Sequence, residues 1–296
     1  MQTTAPDLLT WHPFHVSQWP KKVLRDPADY DGADKLSLGF DLGAMSESEK
    51  KRAIAQWCEK LPELTAVRWL SLWSHVTPPL FEAACKMPGL ECLQIKWSNV
   101  RRLDSISGLA NLRYLSIGSS TKVESVAPLA SLTQLKLLDI ENFKLITDFS
   151  PLEKLTSLES LAVTGSMWTR QDVGSLEPFA RMTWLRRLAL DTTRVASLRP
   201  LANLKNLEAL DLGGRLPMKE YAWLSAKLPN TACRWFGPWL DLASTGIGRC
   251  VSCQQNSKVM LTGKGTKVLC RTCDQGRIAQ HAAAFEMERQ RSLAEG

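Results

Sequence analysis

The sequence predicts an α/β solenoid: a parallel concave sheet with short helices on its convex side, followed by a small four-cysteine ribbon and a terminal helix. Three observations predict it. Leucines recur in the pattern LxxLxxLxxLxΦ, with Φ apolar, at a period of mostly 22 or 23 residues. A proline or glycine precedes the LxxL of the four clearest copies, in ISGLANL, VAPLASL, FSPLEKL and LRPLANL. Two CxxC pairs, Cys250–Cys253 and Cys270–Cys273, stand sixteen residues apart near the end.

Residues 1–63 read as an irregular segment and a helical cap. Up to residue 32 no periodicity is visible, and Trp11, Phe14 and Trp19 are expected to pack across the first repeat. A weak repeat copy, DKLSLGFDL, lies near Leu36. SESEKKRAIAQWCEKLPEL then predicts an amphipathic helix, with Ser46 as N-cap, Glu49 three residues on, and Ile54, Trp57, Cys58 and Leu61 on one face. A cap is required here because an open solenoid end exposes its core.

Residues 64–245 hold the repeats. LANLRYLSIGSS starts at Leu109, LASLTQLKLLDIENF at Leu129, LEKLTSLESLAVTGS at Leu152 and LANLKNLEALDLGG at Leu201. With the third apolar position as origin, the copies fall at Val67, Leu90, Leu112, Leu135, Leu158, Leu185 and Leu207, at intervals of 23, 22, 23, 23, 27 and 22. A last weak copy, TACRWFGPWL, surrounds Trp235. The LxL alternation makes a short strand with leucines inward, and the connectors FSPLEKL and LRPLANL suit a tight helical turn entered from extended chain. One such unit cannot bury its own apolar face, whereas stacked units share a continuous core. This period is that of a leucine-rich repeat.

The spacing and the PLANLxxLxxLxL wording resemble the internalin-like class of bacterial leucine-rich repeat proteins, over roughly Asp34 to Trp239. The asparagine usual late in the strand–turn segment is mostly replaced, the positions holding Ser98, Asn99, Ser119, Asn142 or Gly213. The resemblance implies a binding scaffold and does not choose a function.

Residues 246–296 form a module of their own. The CxxC spacing matches a zinc ribbon, so Cys250, Cys253, Cys270 and Cys273 are expected to hold one structural zinc per chain. Four thiolates complete a tetrahedron and leave no position for a reacting water. An iron–sulfur centre or a redox dithiol is the alternative use of the same cysteines. SKVML-TGKG-TKVLC reads as a hairpin, which makes TGKGTK a turn and not a phosphate loop. The tail predicts a helix with Ile278, Ala282 and Phe285 as its apolar stripe and His281 at the surface.

Composition excludes several classes. No apolar run approaches 18 residues, so no membrane span is expected, and the N-terminal stretch has neither a basic leader nor an apolar core for secretion. Of eight cysteines, Cys58, Cys85, Cys92 and Cys233 stand scattered in apolar settings, which fits buried thiols in a reducing cytoplasm. P-loop, GxSxG and HExxH motifs are absent, and His12 and His15 have no carboxylates at useful spacing. An enzyme is not expected. The net charge of +7 admits acidic proteins or nucleic acid, and from Arg249 onward eight Lys/Arg stand against four Asp/Glu.

Side chains two, four and six positions after each origin are expected to point out of the concave sheet. They give Trp69, Ser71 and Trp73, then Gln94 and Lys96, Tyr114 and Ser116, Asp139 and Glu141, Arg187 and Asp191, and Asp211, with Trp97, Phe143 and Trp168 near the rim. Aromatics at one end with carboxylates in the middle describe a protein-binding face. Trp69, Trp73, Lys96, Tyr114, Asp139, Glu141, Arg187, Asp191 and Asp211 are the expected contact residues. Together with the bacterial resemblance, this reading implies an immunity protein that neutralises a toxin with a basic surface. The alternative is a nucleic-acid-associated or regulatory protein acting through the basic ribbon.

Overall fold

The structure, a computed structural model, describes residues 14–41, 45–166 and 168–295, and the chain divides into two compact units at Val173/Gly174. Trp11 and His12 lie outside the described residues.

In the first unit six strands run parallel in chain order: β1 (Lys35–Leu38), β2 (Trp69–Val76), β3 (Cys92–Ser98), β4 (Tyr114–Ile117), β5 (Leu137–Glu141) and β6 (Ser160–Thr164). The weak copy near Leu36 is therefore a full strand. Alternation sends Leu70, Leu72, Leu93, Ile95, Leu115, Ile117, Leu138 and Ile140 into the core, all buried. The chain returns through short 3-10 turns at Asp104–Gly108, Ala127–Ser131 and Ser150–Lys154, the last two with proline in their first turn. Leu109, Leu112, Leu129, Leu132, Leu152 and Leu155 close the core from that side. After β2 the return is a helix, α2 (Pro78–Ala84).

The cap helix α1 (Glu47–Lys60) starts as the sequence predicts. Ser46 accepts from the Glu49 amide while the Glu49 carboxylate accepts from the Ser46 amide, a complete capping box. Trp57 is fully buried, and its indole N–H donates to the Arg25 carbonyl at 2.8 Å. The 27-residue interval is an insertion closed by Gln171. This buried amide donates to the carbonyls of Phe143, Ile146 and Asp172 at 3.1, 3.0 and 2.9 Å.

The second unit begins with α3 (Glu177–Arg181), followed by the parallel pair β7 (Arg187–Leu190) and β8 (Ala209–Leu212), then α4 (Met218–Lys227). The copy around Trp235 is not a strand. It makes one parallel bridge, Ala209 to Ala232, and then Trp235 turns over Gly214 and donates to the Leu212 carbonyl. A Cβ on Gly214 would lie 2.5 Å from that ring, so the close approach needs glycine.

The ribbon is a three-stranded antiparallel sheet in the order β11-β10-β9: β9 (Trp239–Asp241), β10 (Lys258–Leu261) and β11 (Val268–Cys270). β10 and β11 are the predicted hairpin. β9 lies before the 245/246 boundary read from the sequence and was not foreseen. Val259, Leu261, Leu269 and Ile278, with Trp239 against them, form its small core. The predicted turn docks just ahead of α4, where the Lys264 amide donates to the Leu216 carbonyl at 2.7 Å. Helix α5 (Gln275–Ala294) packs along α4, and Lys227 Nζ caps it by donating to the Ser292 carbonyl at 2.9 Å.

Candidate functional site

Two sites are legible, a four-cysteine centre in the second unit and an outward strand face in the first. The centre is built by two knuckles. Cys250 and Cys253 precede β10, and Cys270 and Cys273 close β11 and lead into α5. Their four sulfurs lie within 4.8 Å of one another, with Cys253 Sγ 3.5 Å from Cys270 Sγ and Cys250 Sγ 4.0 Å from Cys273 Sγ. Sulfurs ~2.3 Å from a tetrahedral metal would stand about 3.8 Å apart, so the set fits such an ion.

The charge balance points the same way. Four sulfurs this close do not all ionise without a cation between them. The Ser257 hydroxyl, 3.0 Å from Cys270 Sγ, holds that thiol down at about 5, while hydrogen bonding to Cys253 and Cys270 pushes Cys273 up to about 12. Around the sulfurs, the Cys270 amide donates to Asp274 at 2.9 Å and fixes the second knuckle. His281 is not the surface histidine expected. It is half-buried against the Pro238 and Thr262 backbone, burial lowers its pKa, and it stands outside the sulfur cluster.

Three of the four other thiols are buried as the sequence predicts, and Cys58 is not. Cys85, Cys92 and Cys233 are buried, burial pushes Cys85 and Cys233 up to about 12, and all remain free. Cys58 is only half-buried.

On the strand face, Trp69, Cys92 and Tyr114 stand in register on β2, β3 and β4. The small Cys92 lets the flanking rings meet above it, with centroids 6.0 Å apart. Trp19 packs on the far side of Trp69 at 5.6 Å, and Lys35 Nζ lies 4.2 Å from the Trp69 ring. Trp69 is thus held rigidly in a row of rings. One step along the strands, Ser71 donates to Gln94 at 2.9 Å and Ser116 donates to Asp139 at 3.0 Å. Burial pushes the Asp139 carboxyl up to about 6, against the Ser116 hydrogen bond, and the Glu141 charge adds to the rise.

At the ends of β2 and β3 the ladder breaks register. Leu72 faces Ile95 but His75 faces Trp97, so Trp73 and Ser74 stand opposite Lys96 alone. The bulge opens a groove of about 550 Å³ lined by Asp41, Trp73, Ser74, Lys96, Trp97, Ser119 and Glu141. Trp97 is 42% exposed and its ring lies 4.8 Å from His75. Phe143, expected beside it on the rim, is instead fully buried. Trp168 is exposed, as expected.

Of the expected contact residues, the groove gathers Trp73, Lys96 and Glu141, while Trp69, Tyr114 and Asp139 lie on the adjoining strand floor. Asp41 and Ser119 were missed. Extending the same offsets to the weak first copy gives Lys35, Ser37 and Gly39, and stops two residues short of Asp41. In the second unit Arg187 on β7 reaches Glu208 at 3.4 Å, Asp211 is paired with Arg234 at 3.1 Å, and Asp191 is buried, accepting from the Thr193 amide at 3.0 Å.

The stacked strands define a leucine-rich repeat fold, and the ribbon after them carries four cysteines that could hold a metal. An internalin of Listeria monocytogenes, InlF, is similar in fold at 22% identity and a TM-score of 0.51, the match covering 67% of this chain and 53% of that one. Internalin C2 of the same organism matches at 21% identity and a TM-score of 0.46, over 61% of this chain and 80% of its own. A leucine-rich repeat protein of Leptospira interrogans matches at 16% identity and 0.43, over 73% and 60%. The chain spans about half the length of InlF. Its sequence matches no family model and no curated protein. Among the described residues no helix is long and apolar enough to cross a membrane.

Proposed function

We propose that the protein is a non-catalytic scaffold that captures a partner protein on the strand face of its repeats, and that it serves as a cytoplasmic bacterial immunity protein whose partner is a toxin. The observation that carries this reading is the row of rings and the groove on one rigid sheet: Trp69 and Tyr114 on the floor, Trp73 and a half-exposed Trp97 at the bulge. Rigid aromatics on strands give large contact area at little cost in side-chain entropy. Asp139 and Glu141 beside them would favour a partner with a basic surface, and Arg187, Asp191 and Asp211 on the strands of the second unit are further contact candidates.

In this reading the cysteines carry one structural zinc. The ion would tie β10, β11 and the start of α5 together, since four sulfurs fill its coordination and leave it no catalytic position.

The test is co-purification from the native cell with a tagged chain, followed by Trp73→Ala and Asp139→Lys. A central aromatic anchor is expected to contribute about 2 kcal/mol or more to binding. Full partner affinity in both folded variants would remove the strand face from the reading.

A second reading keeps the ribbon as a nucleic-acid contact. Arg249, Lys258, Lys264 and Lys267 have no ion-pair partner among the described residues. Binding to RNA or DNA at about 150 mM salt, with a steep salt dependence lost in Lys264→Ala/Lys267→Ala, would favour it.

A further inference from the structure

The groove at the β2 bulge already holds a cation of its own. Lys96 Nζ stands 5.4 Å from the centre of the Trp73 ring, and the same groove is lined by two carboxylates, Asp41 and Glu141. Both carboxylates are fixed by neighbours. Asp41 accepts from the His75 amide at 3.1 Å, and Glu141 accepts from the Ser119 hydroxyl at 3.2 Å. Lys50 approaches Asp41 at 3.5 Å from α1 and satisfies part of its charge. The second ring, Trp97, is backed by His75 and remains open to solvent. The bulge makes this arrangement: with Trp73 and Ser74 both set against Lys96, the ladder widens where the rings and carboxylates meet.

We infer that this groove is the receptor for an arginine side chain of the partner protein, and that Lys96 is a stand-in that the arginine displaces. The inference rests on the strand-face reading of function and gives it a recognition chemistry. A guanidinium suits the groove better than an ammonium does. It is planar, so it can lie on an indole, and it carries five donors in a fork that two fixed carboxylates can accept. Lys96 is exposed and sits on a flexible stem, so it can leave for solvent.

The consequence separates this role from a structural one. If Lys96 belonged to the binding contact, removing it would weaken binding. As a competitor for the same place, its removal strengthens binding.

The experiment is an NMR titration of the full chain with N-acetyl-arginine N-methylamide, followed on the indole N–H signals of Trp73 and Trp97. The neutral citrulline analogue is the control. Saturable shifts at both indoles with the arginine probe, little response to citrulline, weaker binding in Glu141→Gln, and binding about two- to fivefold tighter in Lys96→Ala are expected. Equal response to citrulline, or a Lys96→Ala chain that binds the probe no better, would overturn the inference. Because no partner is needed, the outcome is separate from that of co-purification. A chain that ignores the probe yet loses its partner in Trp73→Ala loses only the arginine assignment. A chain that binds the probe but keeps full partner affinity in that variant loses only the capture role of the face.

Discussion

Asp139→Asn is expected to stabilise the protein at neutral pH. In the native chain burial raises the Asp139 carboxyl from 3.8 to about 6, with Ser116 opposing and Glu141 adding to the effect. The unfolded chain ionises this group near its ordinary value and the folded chain ionises it later. Protonated Asp139 therefore adds nothing unfavourable below about pH 4. As pH rises toward 6 the unfolded chain releases its proton first and stability is lost, and above 6 the loss is complete. At about 1.4 kcal/mol per pH unit the interval is worth ~3 kcal/mol as an upper bound. The residue keeps part of its surface open to water, so roughly 1–2 kcal/mol is the expected gain from removing the charge. An asparagine still accepts from Ser116, so little is lost in return.

The assay is urea unfolding followed by hydrogen exchange in β4, β5 and β6, at pH 7.5 and at pH 4. At pH 7.5 the variant's midpoint should rise by about 0.5–1 M for a unit of this size, and at pH 4 the two chains should coincide. Glu141→Gln should recover a smaller part of the same gain, because it removes only the neighbouring charge. A variant that is no more stable at pH 7.5, or that gains equally at pH 4, would refute the claim that a desolvated charge is being held on the strand floor.

Cys270→Ser should take zinc from close to one per chain to none by elemental analysis. Exchange should then rise across β9, β10, β11 and α5 while the strands of the first unit keep their protection, because repeat contacts are local. Gln171→Ala should lower stability by about 2–4 kcal/mol in denaturant melts, since it strands the buried Phe143 and Ile146 carbonyls. Ser46→Ala should cost about 1 kcal/mol, and Glu49→Ala added to it should cost less than the sum, because both belong to one capping box.

Much of the fold is written in repetition. The leucine period, the capping box at Ser46 and the CxxC spacing are legible because each is a local rule with few alternatives. Strand β9 was not legible. RWFGPWLD has the apolar spacing of one more repeat, and only the pairing of Leu240 with Met260 makes its end a ribbon strand. Phe143 was misplaced for a reason that can be stated. The alternation of β5 carried one step too far puts it on the rim, but Asn142 adopts φ 60°. A left-handed residue breaks the two-residue period, and the next side chain drops into the core. The groove was legible only as separate residues. Trp73, Lys96 and Glu141 follow from the offset rule, whereas the bulge that brings them together follows from pairing.

A repeat needs leucines inside and tolerates almost anything outside, so the inward pattern carries the fold and little else. Departures from the pattern carry more, because each has a cost that folding alone would remove. Asp139 is a carboxylate whose burial on the strand floor disfavours its charge. Trp73 and Ser74 form a bulge where the neighbouring strands run without one. Both departures face the open side of the same sheet, and both favour a cation: one holds a desolvated negative charge, the other sets an indole beside Asp41 and Glu141. The four cysteines are a departure of the opposite kind, since four sulfurs that fit one tetrahedral ion would add stability once it is bound. That Asp139 and the bulge lie together on one face, with one preferred charge, is the physical argument for testing recognition there first.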